Sequence, residues 1–318
     1  MNLAPIKYAD ALVSAGGPIE RIECARIELN GGHLYHANSW LSRELGLKTR
    51  PVELFSTATG SGAAESAMVA RHKAISESLE RWAYHYLDQI GHRKSYGFDE
   101  WPGTTGMAAF PGLFKFQART RALREAIERA CLIKWWDGEL NHVDIETGIE
   151  GINGITVENP YSGDEVIVLW SPGSNGLTSY GTAAGANQKA TLQQAHVELC
   201  RHCRALERLE KQYPQFNIGD IASLQNPVER NLIYFSLPDG HAAFLERVHQ
   251  SPSMSSSCER KPVVDVNIPG PWQRYATVWR VVIPARPSNR SGRNFLYDCI
   301  RRINPFRYSD SGKLRITG

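Results

Sequence analysis

The apolar positions divide the chain into short alternating runs and long helical ones. "IECARIEL" (22–29) alternates apolar and polar residues, the pattern of a strand with one buried face. "NGG" (30–32) reads as a turn, and "HLYHANSWL" as the returning strand of a hairpin. Three longer stretches repeat their apolar residues every three or four positions. They predict helices from Ala64 to Ile90, from Phe116 to Trp136 and from Gln188 to Gln212. "GHRKSYGFDEWPGTTG" (91–106) between the first two is rich in loop residues. "GITVENPYSGDEVIVLW" (154–170) predicts a hairpin, with β-branched runs on either side of a turn. "ATVWRVVIPA" (276–285) predicts a strand ending at Pro284, and the Ser-rich "SPSMSSSCERKP" (251–262) a mobile loop or linker. Strands alternating with long helices predict a mixed α/β (α+β) fold. With 318 residues the chain is read as one domain, 1–318.

Within the helical stretches one pattern recurs. "ARHKAISESLERW" (70–82) returns as "ARTRALREAIERA" (118–130): Ala, three residues, Ala, an aliphatic residue, then ExxER. A Gly/Ala-rich segment precedes each copy, "TATGSGAAESA" (57–67) and "TTGMAAFPG" (104–112). A third unit, "SYGTAAGANQKATLQQAHVELCRH" (179–202), keeps the plan with Glu198 but has Arg201 at the position of the second Glu. The small-residue segments read as loops whose backbone amides could approach an anion at a helix N-terminus. Neither "GSG" nor "GMAA" matches a known phosphate-loop signature.

Glu77 and Glu80 lie three residues apart and share one helix face, as do Glu125 and Glu128. Carboxylates so placed can hold a hard divalent cation together with a phosphate-bearing ligand. They also form i,i+4 pairs, Glu77 with Arg81 and Glu125 with Arg129, which stabilise an exposed helix by a few tenths of a kcal/mol. The repetition and the apolar flanks (Ala74, Ile75, Leu79, Trp82; Ala122, Leu123, Ile127, Cys131) favour a shared site over surface decoration, because a buried carboxylate needs compensation.

Composition changes this picture little. A net charge of +3 selects no partner. From Glu259 to Gly318 there are twelve Lys or Arg against four Asp or Glu, a basic segment without a nucleic-acid motif, so no nucleic-acid partner is expected. No apolar run is long enough for a membrane span or signal peptide, and the six scattered cysteines suit reduced thiols, so a cytoplasmic protein without a membrane partner is expected. "CRHC" (200–203) has metal-like spacing but no second CxxC to complete a zinc site.

"ARHKAISESLERW" and "ALREAIERACLIKWW" resemble the two ExxER helices of the YcaO family. "GTAAGANQKATLQQAHVEL" is similar to that family's later helix with its single matching Glu, and "TVWRVVIPA" to its late strand ending in proline. The resemblance spans about residues 1–308 and is specific in the three helical units. It implies repeated sheet–helix units forming one nucleotide-binding domain, with ATP and Mg2+ as cofactors. It implies activation of backbone amides in a ribosomally made precursor peptide. The expected reaction is cyclodehydration of Cys, Ser or Thr to thiazoline or oxazoline; thioamide or amidine formation, or a non-catalytic scaffold that binds peptide or partner, are the alternatives. By position, Glu77, Glu80, Glu125 and Glu128 match the magnesium and phosphate-site carboxylates. Arg129, Glu198 and Arg280 match nucleotide-site residues, and Lys7 and Ser14 match nucleotide contacts by spacing. No residue is matched to a catalytic base.

The departures are Ala130 where an Asp is common, Gln117 where a Glu often stands, Arg201 in the third unit, and "NPFRYSDSGKLRITG" (304–318) in place of a proline-rich tail. A separate leader-peptide-binding, E1-like partner protein is expected, with a homodimer or multi-enzyme complex left open.

Overall fold

The computed structural model describes residues 2–29, 32–46, 58–98, 105–173, 176–212, 221, 227–250 and 261–284. Most of the Ser-rich stretch 251–262, part of the loop 91–106, the centre of the NGG turn and the chain after residue 284 lie outside the described residues.

A short helix α1 (Ala4–Lys7) precedes the hairpin of β1 (Ile19–Leu29) and β2 (Gly32–Leu41); a helical turn α2 (Arg43–Gly46) follows. Next come β3 (Gly60–Ala64) with α3 (Ala67–Gln89), then β4 (Thr105–Phe110) with α4 (Phe116–Trp136). The strands β5 (His142–Asp144), β6 (Asn153–Val157), β7 (Glu165–Pro172) and β8 (Thr178–Gly185) lead into α5 (Gln188–Gln212). Helices α6 (Pro227–Ser236) and α7 (Pro238–His249) and strands β9 (Val264–Ile268) and β10 (Thr277–Val282) complete the order. The fold is mixed α/β with antiparallel sheets, as the sequence predicts.

The strands form three sheets, β1-β2-β3, β4-β10-β9 and β5-β6-β7-β8. In each, one edge strand (β3, β4, β8) runs directly into a long helix that packs back on it. The packing is cyclic. The β4-β10 sheet lies between α3, which meets Met107, Ala109 and Val278, and α4, which meets Val281 and Ile283. The next sheet lies between α4 and α5: Val166, Val168 and Trp170 face the first, Ile167 and Leu169 the second. This explains why β7 is a continuous apolar run, since both of its faces are buried. The first sheet closes the cycle, with Ala37 against Ala70 and Ala74 of α3, and Leu34 and Ala63 against Val197 of α5.

The helices α4 and α5 have the predicted bounds. The Gly/Ala-rich segments, however, are strands rather than loops, and α3 accordingly starts at Ala67 instead of Ala64. A close approach of backbones is the reason. A Cβ on Gly60 would sit 2.3 Å from the Ala74 carbonyl oxygen, one on Gly106 1.9 Å from that of Ala122, and one on Gly181 2.1 Å from that of Ala195. Strand glycine opposite helix alanine is the contact that each unit repeats, and it accounts for the Ala in the shared pattern.

Candidate active site

In the first two units this close approach places the residue after the strand glycine beside the first Glu of its helix. Ser61 donates to Glu77 Oε2 from both its backbone N–H (2.9 Å) and its Oγ (3.2 Å), and the Met107 N–H donates to Glu125 Oε2 at 3.0 Å. The arginine four residues on completes each pair: Arg81 with Glu77 at 2.6 Å, Arg129 with Glu125 at 2.5 Å. The i,i+4 ion pairs expected from the sequence therefore exist, and they are half-buried rather than on the surface. Arg129 also donates to the Thr105 carbonyl at 2.8 Å, which ties α4 to its own strand.

The second position of each helix points to the next unit. Glu80 of α3 feels Glu125 of α4. Glu128 of α4 accepts a 2.5 Å hydrogen bond from Thr182 Oγ1 and feels Glu198 of α5. Arg201 of α5 holds Glu198 through two hydrogen bonds of 2.8 and 3.0 Å and reaches Ser61 Oγ of the first unit. Ser61 and Thr182 occupy equivalent places, each directly after its strand glycine. The six positions Glu77, Glu80, Glu125, Glu128, Glu198 and Arg201 thus form a closed ring with three junctions. This brings together all four expected metal carboxylates, Arg129 and Glu198.

The ring is electrostatically uneven. Burial favours the neutral form of Glu77, but Arg81, Arg201 and Ser61 outweigh it and hold the carboxyl below its ordinary range. Among the described residues Glu80 makes no hydrogen bond or ion pair; burial, with Glu125 and Glu77 adding repulsion, lifts its pKa well above the ordinary value. Glu128 is raised to about 7, by burial first, with Thr182 and Arg129 opposing and Glu125 and Glu198 reinforcing. Two carboxyl groups of the ring, Glu80 and Glu128, therefore bind a proton more readily than an ordinary carboxyl, and a bound cation would oppose that. Hard oxygen donors with excess charge suit magnesium. Among the described residues no three His, Cys, Asp or Glu side chains are grouped closely enough to hold a metal ion by themselves. An ion shared by this ring needs additional ligands, which phosphate oxygens or water supply.

The Glu128 shift has a measurable sign. Its folded-state carboxyl binds a proton more tightly than the unfolded one, so its contribution to stability is full below 4.5 and is lost as pH rises through about 7. The groups that set it are Glu125 and Arg129 on its own helix, Thr182 on β8 and Glu198 on α5. The melting temperature of Glu128→Gln minus that of wild type is expected to grow between about pH 5 and about pH 8. A constant difference would show that Glu128 titrates normally.

Of the remaining expected residues, Lys7 and Ser14 make no contact with the ring among the described residues, whereas Arg280, opposite Met107, feels Glu125 and Arg129. Lys7 Nζ donates to the Gly112 carbonyl at 3.0 Å, and Ser14 is exposed on a short 3-10 turn. Arg280 is 4% exposed on β10 and faces Gly97, whose carbonyl accepts from Nη2 at 3.1 Å, with its guanidinium 3.9 Å over the Phe98 ring. Among the described residues its Nε has no hydrogen-bond partner and its guanidinium makes no ion pair; burial pulls its pKa down to about 10, with Glu125 opposing. Cys200 and Cys203 sit on α5, and Cys200 Sγ is 3.5 Å from His196 Nε2. Sequence reasoning missed Ser61, Thr182 and the role of Arg201. The available signal was the polar residue after the strand glycine in two of the three units.

No family model and no curated protein matches the chain. Among solved structures, the fold is similar to YcaO from Methanopyrus kandleri bound with AMPPCP and Mg2+, at a TM-score of 0.46 and 12% identity over 90% of this chain and 95% of that one. It is also similar to a heterocyclase in complex with substrate and cofactor, at a TM-score of 0.48 and 12% identity over 88% of this chain. The chain spans 51% of that heterocyclase. No helix among the described residues is long and apolar enough to cross a membrane.

Proposed function

We propose that the ring binds magnesium and ATP, and that the chain, as one cytoplasmic domain, uses ATP to activate backbone amides of a ribosomally made peptide. The observation that carries this reading is the closure of three acidic units on one another. It leaves Glu80 without a partner and Glu128 with a weakly held proton at neutral pH. Carboxyl groups whose burial and like-charged neighbours shift them this way are candidates for ligand binding. ATP supplies the phosphoryl group that converts an amide oxygen into a leaving group.

In this reading Glu80, Glu125, Glu128 and Glu198 line the cation sites. Arg81 and Arg129 hold Glu77 and Glu125 in place, and Arg280, a buried cation without a carboxylate partner, is the candidate phosphate contact. The resemblance of the helical units favours cyclodehydration. A Cys, Ser or Thr side chain of the peptide adds to the preceding carbonyl, whose oxygen takes the phosphoryl group. Loss of phosphate and of the amide proton then leaves the C=N bond of the azoline, and ADP and phosphate are the by-products. A separate leader-binding protein would deliver the peptide.

Calorimetry with Mg2+ and a non-hydrolysable ATP analogue tests the site. Binding is expected to release protons near pH 7, read from titrations in buffers of different ionisation heat. Binding with no proton release would refute the charge assignment, and no magnesium-dependent binding would refute the nucleotide reading. Mass spectrometry of a precursor peptide incubated with ATP separates the chemistries: loss of water marks a ring, and exchange of oxygen for sulfur marks a thioamide.

A further inference from the structure

The three junctions of the ring are built alike but carry different charge. At the first, Glu80 faces Glu125 with Arg129 as the nearest counter-charge on α4. At the second, Glu128 faces Thr182 and Glu198. Both present an acid to an acid. At the third, the position equivalent to Glu80 and Glu128 is Arg201, and its guanidinium lies between Glu198 and the Ser61 hydroxyl that itself donates to Glu77. Further cations stand around this junction. Arg81 pairs with Glu77, and Lys73, whose Nζ donates to the Ala63 carbonyl at 3.0 Å, feels Glu198. The Arg201 side chain is only 26% exposed, so its charge acts in a poorly screened setting.

We propose that Arg201 is a tethered cation that seals the third junction. It is a positioning residue that fills the place between Glu198 and Glu77 where an acid would otherwise create a further divalent-cation site. Three consequences follow from its contacts. It fixes the Glu198 carboxylate at both oxygens. It holds the hydroxyl that orients Glu77, and so couples α5 to the first unit. It also confines divalent ions to the other two junctions, which gives a threefold framework one-sided chemistry. The confinement to two junctions rests on the proposed metal-binding reading, whereas the sealing of the third does not.

Mn2+ serves as the probe, with free Mn2+ counted by electron paramagnetic resonance in titrations of the nucleotide-free full chain. Arg201→Glu restores the acid of the repeat and is expected to bind one more Mn2+ per chain than wild type. Arg201→Lys keeps the charge and is expected to match wild type. Arg201→Gln removes the charge that holds Glu198 at both oxygens and is expected to gain the same ion more weakly, which decides the matter if Arg201→Glu fails to fold. A folded Arg201→Glu or Arg201→Gln with the wild-type count overturns the proposal. An extra ion in Arg201→Lys also overturns it, because lost geometry rather than lost charge would then open the junction. A wild type that binds neither Mn2+ nor Mg2+ with ATP, beside an Arg201→Glu that gains an ion, would refute the nucleotide reading and leave the sealing role standing.

Discussion

Glu80→Gln is expected to abolish magnesium-dependent ATP turnover while leaving the melting temperature of the free protein within about 2 °C of wild type, or above it. Among the described residues the side chain makes no hydrogen bond or ion pair, and burial, with Glu125 and Glu77, already favours its protonated form, which glutamine imitates. The folded, ligand-free protein therefore loses nothing when the charge is removed. Under the proposed reading a magnesium-bound nucleotide would lose one of its carboxylates, and removal of one preorganised electrostatic group of that kind costs about 10²- to 10³-fold in turnover. Glu77→Gln, three residues earlier on the same helix, is the informative contrast. Glu77 accepts two hydrogen bonds from Ser61 and pairs with Arg81, and these contacts hold it ionised. Its replacement leaves partly buried donors unmatched and is expected to destabilise the fold by about 1–3 kcal/mol. ATP hydrolysis by the purified chain with its peptide, read beside thermal melts of both variants, checks the pair. If Glu80→Gln melts lower than Glu77→Gln, or turns over ATP at the wild-type rate, the division of roles between the two glutamates is refuted.

That division was only partly legible in the sequence. The ExxER spacing places Glu77 with Glu80 and Glu125 with Glu128, and the 3.6-residue period alone delivers each pair to one face. The bounds of α4 and α5 follow from the same period, and the turn in "GITVENPYSGDEVIVLW" locates the hairpin of β6 and β7. The ion-pair reading of ExxER holds in the structure for the first Glu of each motif, whereas the second Glu of α4 bonds the next unit instead. The partner of that second residue was not legible. Ser61 and Arg201 are 140 positions apart, and only the cyclic stacking of sheets between helices brings them together. The small-residue strands were misread for a local reason: glycine and alanine have low intrinsic strand preference, so "GSGAA" and "TGMAAF" resemble loops until their packing partner is known. Arg201 looked like degeneration of the third copy, whereas its contacts show a residue bound at both ends.

Gly106→Ala is expected to cost about 4–5 kcal/mol or more, the range reached when the backbone itself must move. The added Cβ would lie 1.9 Å from the Ala122 carbonyl oxygen and 2.6 Å from the Ala126 nitrogen. Both are backbone atoms in the middle of a 21-residue helix, so no side chain can rotate away. Relief requires β4 to lift off α4. The strand cannot lift alone, because it is hydrogen-bonded along its length to β10, with Val281 opposite Gly106. Its displacement also carries away the Met107 N–H that orients Glu125 and the Thr105 carbonyl that anchors Arg129. The mutation therefore joins a stability loss to a loss of ring geometry, and any folded fraction should bind divalent cation more weakly than wild type. Gly163→Ala is the control: a Cβ there has nothing within 4 Å, and a surface change of this kind stays within about 0.5 kcal/mol. Chemical denaturation of both variants, followed by Mn2+ titration of whatever folds, provides the measurement. A Gly106→Ala protein as stable as Gly163→Ala would show that β4 does not lie against α4 at this distance. The repeated glycine–alanine contact would then no longer explain why the three units share their sequence.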